Sequence, residues 1–388
     1  MKILITSDLH LSDRIWKHRP IEGDSYDAWR FIVGYAVSPA TPKIDAVIIA
    51  GDILDKQTNR AKAIHHLTVG LSTLVENDIR VFFNQGQHCM QEKPWPTLVD
   101  GVCHLRLGDV YDLDGLKMTG FDYCSEEQLQ ENLKHESVED ADILVCHQVW
   151  KDFMGDVGKP QGCFADVPDN VSFIFTGDYH EAICQVYAGK IVVSPGSTHL
   201  RSISEPVDKS FWIFDTEKKN QMLKSVEIPT RRRFQHDISS PGLHCDHDVQ
   251  IGDVLSEVLD GKIEASLDAN QAYWSTTPFE DAIRIYNPLI RIIHEPDQLD
   301  DNCRKVIDKY KYKAHFFYKM VRPEVENQFE VLEYVDVSDR LKMIDCLDTA
   351  VDQKKQPKVH SLATALLSGG EPGETLKKWI KEQVDEGS

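Results

Sequence analysis

The sequence predicts an α/β protein, from three observations. Short β-branched and aliphatic runs alternate with stretches of helical periodicity, several of those runs end in a carboxylate or histidine, and 388 residues exceed one ordinary domain. The plainest run is Val47 to Asp55, V-I-I-A-G-D-I-L-D. An apolar stretch followed by Gly51 and Asp52 reads as a buried strand that delivers a carboxylate to the carboxyl edge of a sheet, where α/β proteins hold ligands. Taken by itself, Asp52 serves equally well as the cap of the next helix.

In chain order, Lys2 to Ser7 is a first strand ending at Asp8-Leu9-His10, followed by a loop with Arg14, Lys17, His18 and Arg19. Asp24 and Ser25 are suited to cap a helix from about Tyr26 to Val37. After the second strand, Ile64, Leu67, Leu71, Leu74 and Val75 share one face, which predicts an amphipathic helix from about Thr58 to Glu76. Ile79 to Asn84 is a third strand, ending in Gly86-Gln87-His88-Cys89. This β-α-β-α-β order requires parallel strands. Further strands are predicted at Leu116 to Phe121, Ile143 to Cys146, Phe173 to Phe175, Ile183 to Tyr187, Ile191 to Val193, Phe211 to Phe214 and Met222 to Ile228, with Ala188-Gly189-Lys190 as a hairpin link.

Pro229 and the basic run Arg231-Arg232-Arg233 mark the main boundary, giving expected domains at 1–228, 229–335 and 336–388. The middle one carries strands at Leu289 to His294 and His315 to Val321 around a helix at Asp297 to Lys309, enough for a small α/β unit. From Ser338 a helical tail follows, with Leu341, Ile344 and Leu347 inward, broken at Pro357 and at Gly369-Gly370-Glu371-Pro372-Gly373. No internal repeat or low-complexity segment is present.

Composition excludes several classes. No apolar run approaches the ~18 residues of a membrane span, and MKILITSDLH reads as a strand, not a signal peptide, so a cytoplasmic location is expected. Nine cysteines without paired short spacings argue against a disulfide framework or a zinc ribbon, and are expected to be reduced and mostly buried. A formal charge of −20 opposes general attraction to nucleic acid, so any such role must rest on local basic patches, bound metal or a partner.

Five strand ends present metal-capable groups: Asp8 with His10, Asp52, Gln87 with His88, His147, and Asp178 with His180. Each alone is weak, since Asp-x-His recurs by chance and a lone His147 is ordinarily a hydrogen-bonded core histidine. Together they meet the demand of two divalent ions that share one carboxylate.

D-L-H at Asp8, G-D-I-L-D from Gly51, G-Q-H from Gly86, the lone His147 and G-D-Y-H from Gly177 resemble the five ordered motifs of the calcineurin-like metallophosphoesterases. Ser194-Pro195-Gly196-Ser197, followed by Arg201, Ser202 and Glu205, narrows the resemblance to the SbcD nuclease subunits, with their phage and meiotic-recombination-eleven relatives. It covers Met1 to Ile228 strongly, the next domain loosely and the tail not at all. The resemblance implies a four-layer sandwich, two central mixed sheets flanked by helices, with a smaller α/β capping domain. It implies that Asp8, His10, Asp52 and His180 hold one metal, that Asp52, Gln87, His147 and Asp178 hold the other, and that His88 contacts the scissile phosphate. It further implies manganese, with magnesium second, DNA as substrate, a homodimer, and an SbcC-type coiled-coil ATPase as partner, for which the tail is the expected docking surface.

Three positions depart from the family pattern: Gln87 stands where Asn is usual, Cys89 where an acidic residue is, and Asp178 where His is. Asp178 adds a charge to Asp8 and Asp52, which favours hard ions. A small-nucleotide phosphodiesterase and a non-catalytic scaffold are the alternative readings. Outside these motifs, His244-Cys245-Asp246-His247-Asp248 reads as a solvated loop. The Arg14 to Arg19 loop, Arg231 to Arg233, and the lysines from Lys309 to Lys319 with Arg322, interleaved with Tyr310, Tyr312, Phe316, Phe317 and Tyr318, are possible nucleic-acid contacts, with solvated faces the blander reading.

Overall fold

The apolar runs are buried on both faces, and their alternation sets the layer order. In strand β1 (Lys2–Thr6), Ile3 and Ile5 point one way and Leu4 the other, and in β2 (Ala46–Ala50) Ala46, Ile48 and Ala50 oppose Val47 and Ile49. The computed structural model describes residues 1–12, 23–56, 61–155, 159–206, 208–218, 222–231, 233–237, 288–294, 301–310 and 314–320, with 256, 259–261 and 299. Residues 1–323 form one compact unit and 324–388 a second, the latter wholly outside the described residues together with the predicted tail.

The first sheet has the order β12-β11-β1-β2-β3-β4, with β3 at Arg80–Asn84, β4 at Val102–His104, β11 at Lys209–Asp215 and β12 at Leu223–Ile228. Strands β1 to β4 are parallel, while β11 runs antiparallel to both neighbours. The second sheet has the order β5-β6-β7-β8-β10-β9: Tyr111–Leu113, Leu116–Gly120, Ile143–His147, Phe173–Gly177, Lys190–Ser194 and Ile183–Tyr187. Ala188 and Gly189, both at positive φ (48° and 80°), close the β9–β10 hairpin as the sequence predicts.

Helices α1 (Asp24–Val37) and α2 (Ala61–Glu76) cover the outer face of the first sheet through Trp29, Ile32, Leu67 and Leu71. Ile3, Ile48, Phe82, Ile143, Val145 and Phe175 fill the space between the sheets. Short helices α3 (Glu126–Asn132) and α4 (Glu136–Glu139) cover the second sheet through Leu129 and Val138. The expected four layers are therefore present. A parallel three-stranded sheet, β13 (Arg233–Asp237), β14 (Leu289–His294) and β15 (His315–Met320), packs on helix α6 (Asp301–Tyr310) through Ile290, Ile292, Cys303 and Ile307; α5 is the single turn Lys151–Met154. No helix among the described residues is long and apolar enough to cross a membrane.

Some local expectations fail for identifiable reasons. Gly23, in the left-handed region at φ 96°, caps α1, whereas Asp24 and Ser25 lie inside its first turn. Asp24 is instead held by Arg231, whose Nε and Nη2 donate to its two carboxylate oxygens at 3.0 and 2.6 Å with both side chains buried. Arg231 is thus a structural cation unavailable to phosphate. Arg231→Ala strands the Asp24 carboxylate and is expected to cost about 3–5 kcal/mol, whereas Arg231→Met with Asp24→Leu recovers most of it. Urea denaturation checks this, and equal losses from the single and double variants would refute it. Cys89, Cys146 and Cys303 are buried, four other described cysteines are half-buried, and none of these seven is in a disulfide.

Candidate metal centre

Because β1, β2 and β3 run parallel in one sheet and β7 and β8 in the other, their carboxyl ends open on the same side, and all five predicted segments leave from those ends. Asp8, His10, Asp52 and Asp178 all adopt positive φ (49°, 38°, 44° and 80°), a strained conformation that non-glycine residues hold only where the surroundings enforce it. Gly51 explains one enforcement: a Cβ there would overlap the His147 ring, so strand β2 and His147 approach only with glycine at this position.

The structure brings Asp8, His10, Asp52, His147, Asp178 and His180 together, with Gln87 against Asp178 and His88 at the rim. His10 Nε2 lies 3.7 Å from Asp8 Oδ1 and 3.6 Å from Asp52 Oδ2; His147 Nε2 lies 3.4 Å from Asp52 Oδ2, 4.0 Å from Asp8 Oδ1 and 3.9 Å from Asp178 Oδ1. His180 Nε2 is 3.8 Å from Asp8 Oδ1. At 3.4–4.0 Å these separations are longer than ordinary hydrogen bonds and match ligand atoms around a common cation, which at about 2.1 Å from each would hold them roughly 3–4 Å apart. Two groups, Asp8-His10-His180 and Asp8-Asp52-His147, each bring their ligand atoms within 4.8 Å of one another. Asp8 as well as Asp52 therefore lies between the two sets of histidines.

The donor set fits a cation. His147 Nδ1 lies 2.8 Å from the Ala50 carbonyl and must donate to it, which leaves a lone pair on Nε2; that atom is fully buried without a hydrogen-bond partner, facing carboxylates. Burial opposes charge on His147, yet Asp52, Asp8 and Asp178 raise its pKa to about 10, so the pocket demands positive charge at this atom. His10 shifts the other way, well below the usual histidine range, through burial and the neighbouring charge of Arg201. Asp52 is lowered: burial opposes this, but His147 and His10 outweigh it.

Gln87 donates its amide N–H to Asp178, and its Oε1 is buried without a partner. Two of the three departures from the family pattern therefore touch each other. The third, Cys89, is buried beside Asp52, and burial followed by that charge raises its thiol to about 11, leaving it neutral. His88 differs from the rest: its backbone N–H donates to Asp52 Oδ1 at 3.1 Å, its Nε2 is 3.9 Å from Asp52 Oδ2, and its side chain is 42% exposed.

A family model described as calcineurin-like phosphoesterase matches residues 1–199. The chain belongs to the calcineurin-like phosphoesterase family. The DNA double-strand break repair protein Mre11 of Methanosarcina acetivorans is 28% identical over 251 residues, covering 60% of this chain and 39% of that protein. The chain thus spans about two-fifths of that relative's length. Two solved structures align over 58% of the chain: a novel archaeal phosphodiesterase (15% identity, 99% of that chain, TM-score 0.35) and a putative 5′-nucleotidase from Staphylococcus aureus (13% identity, 52% of that chain, TM-score 0.36). At these scores neither adds to the layer order already described.

This family member carries polar groups around its centre to which sequence reasoning assigned no role. Glu205 Oε1 lies 3.3 Å from His180 Nδ1, while Oε2 accepts from buried Lys209 Nζ at 3.0 Å. Burial opposes ionisation of Glu205, but His180 and Lys209 lower it to about 2, so it stays an anion that orients the imidazole. Arg201 Nη1 lies 2.9 Å from His10 Nε2, and its Nη2 donates to Asp55 Oδ1 at 2.8 Å. Arg201 and Glu205 were visible only as parts of a loop motif. The loop from Arg14 to Arg19, the ligand-rich stretch at His244 to Asp248, and Lys311, Tyr312, Lys313 and Arg322 lie outside the described residues.

Proposed function

We propose that this chain is a metal-dependent phosphodiesterase acting on DNA, the nuclease subunit of an SbcC–SbcD-like assembly. The observation that carries the chemistry is the buried, partnerless Nε2 of His147 aimed into three carboxylates, an arrangement stabilised by cations. The likeness to a DNA double-strand break repair protein supports DNA as the substrate.

Asp8, His10, Asp52 and His180 would hold one ion, and Asp52, Gln87, His147 and Asp178 the other; for Gln87 this requires its carbonyl oxygen to turn inward. Two divalent ions there would activate water and neutralise charge developing at phosphorus. The chain's own residues orient and protonate. The Ala50 carbonyl fixes the tautomer of His147, Glu205 fixes that of His180, and exposed His88 delivers a proton to the departing oxygen.

Manganese, then magnesium, are the ions this reading favours, because Asp178 supplies an anionic oxygen where the family pattern has an imidazole. Restoring that pattern with Gln87→Asn and Asp178→His together is expected to move relative affinity from manganese towards zinc by about tenfold. Asp178→His alone should do less, since it strands the Gln87 donor. Metal titration of the variants decides it, and an unchanged preference in the double variant would sink the idea.

The residues from 229 to 335 would cap the cleft and guide DNA, and the segment from 336 to 388 would dock the ATPase, with two copies pairing in the cytoplasm. A small-nucleotide phosphodiesterase is the second reading, favoured by the net charge of −20. The test is hydrolysis of linear duplex, single-stranded DNA and a cyclic dinucleotide with manganese. Turnover of DNA supports the proposal; turnover of the dinucleotide alone overturns it.

A further inference from the structure

Arg201 stands where a metal ligand set and a fixed positive charge compete. Its Nη1 is 2.9 Å from His10 Nε2 and 3.4 Å from His180 Nε2. Those same two nitrogens face Asp8 Oδ1 at 3.7 and 3.8 Å and form, with it, one of the two ligand groups of the centre. A guanidinium has donors and no acceptor, so it engages an imidazole only through the ring's lone pair. An imidazole nitrogen has one lone pair, and a metal ion needs it too. Asp55 holds the other edge of the guanidinium at 2.8 Å, so the arginine's position is anchored from outside the ligand group.

The segment carrying Arg201 is also held from the far side. Buried Leu200 and half-buried Ile203 pack against Leu289 and Phe317 of strands β14 and β15. Arg233 Nη1 donates to the carbonyls of Ile203 and Glu205 at 2.7 and 2.6 Å, and Arg291 Nη1 reaches Ser204 Oγ at 3.4 Å. Four side chains of the smaller sheet, those of Arg233, Leu289, Arg291 and Phe317, therefore hold Leu200 and residues 203–205 on either side of Arg201. Within the same segment, Glu205 accepts the Arg201 backbone N–H at 3.2 Å and orients His180.

We propose that Arg201 is the resident cation of the Asp8-His10-His180 subsite, displaced when a metal ion binds there, and that the grip of the three-stranded sheet on Leu200 and residues 203–205 sets how readily it leaves. This rests on the two-ion reading above and deepens it: the two subsites are unequal because only one has a built-in competitor. Displacement moves the guanidinium away from two imidazoles while Asp55 remains its anchor. A shift of the smaller sheet would then change metal occupancy at one subsite without touching a ligand.

The test is calorimetric titration of the full chain with manganese chloride, for the wild type, Arg201→Gln, Arg201→Met and Arg233→Gln. The wild type is expected to take up two ions with unequal affinity. Arg201→Gln and Arg201→Met should tighten the weaker event by about tenfold and leave the tighter one within about twofold, since a like charge is removed from one subsite. Arg233→Gln should move the same event in the same direction by a smaller factor. Without metal, both Arg201 variants should melt below the wild type, as Asp55 and the imidazoles lose their donor, and circular dichroism confirms that they fold. Two ions in the wild type, with both events unchanged or shifted equally in the Arg201 variants, overturn the competition. An Arg233 variant indistinguishable from wild type overturns the part assigned to the sheet. Fewer than two ions in the wild type would instead defeat the two-ion reading itself.

Discussion

Asp52→Asn is expected to abolish manganese binding at both subsites and to lower the phosphodiesterase rate by at least about a thousandfold, the scale at which metal-assisted charge neutralisation is lost. One oxygen, Oδ2, lies within 3.6 Å of His10 Nε2 and 3.4 Å of His147 Nε2, so a single charge serves both groups. Asparagine keeps the shape and still accepts the His88 N–H, which in the wild type donates to Oδ1 at 3.1 Å. It also tolerates the positive φ of 44° at this position better than other neutral residues except glycine, which makes the variant a test of charge and not of folding. With only Asp8 and Asp178 left as anions, the centre cannot balance two divalent ions. Calorimetry and circular dichroism together decide the matter. A folded Asp52→Asn protein that still binds one ion with wild-type affinity would show that Asp8, which borders both groups, is the shared carboxylate instead.

Much of this centre was legible in the sequence because strand ends are legible. A parallel strand buried on both faces leaves a continuous apolar run such as Val47 to Ala50, and whatever follows it must sit at the carboxyl edge. The helices covering the second sheet were not legible: Glu136–Glu139 is one turn long, too short for periodicity to register. Outside the strand-end motifs, charged side chains whose partners are distant in sequence were not read correctly. Arg231 looks solvated in the run Arg231 to Arg233, yet its partner Asp24 lies 207 residues away. Arg201 meets His10 across 191 residues, and no local pattern announces such a contact. The pairing of Gln87 with Asp178 was hidden for the same reason, although each departure was visible singly.

His88→Ala is expected to lower kcat on DNA by about 10²–10⁴ while leaving manganese affinity unchanged, the range for loss of a positioned proton donor. The separation of effects follows from placement. The His88 imidazole Nε2 lies 3.9 Å from Asp52 Oδ2 and the side chain is 42% exposed, whereas the fully buried His147 and His10 face the carboxylates directly. It is the most exposed of the four imidazoles His10, His88, His147 and His180. Its ring meets that of His10 edge-on at 5.2 Å, and its backbone is tied to Asp52, so the side chain is aimed from the ligand set outward. What the proton is for can be read from the leaving group. Departure of a deoxyribose alkoxide needs a proton, so DNA hydrolysis should suffer the whole loss. A nitrophenyl phosphodiester releases a phenolate that is stable unprotonated, so its hydrolysis should fall by no more than about tenfold. Equal losses on both substrates would assign His88 to holding the phosphate, because an electrostatic contact to the phosphoryl oxygens is needed whichever oxygen departs.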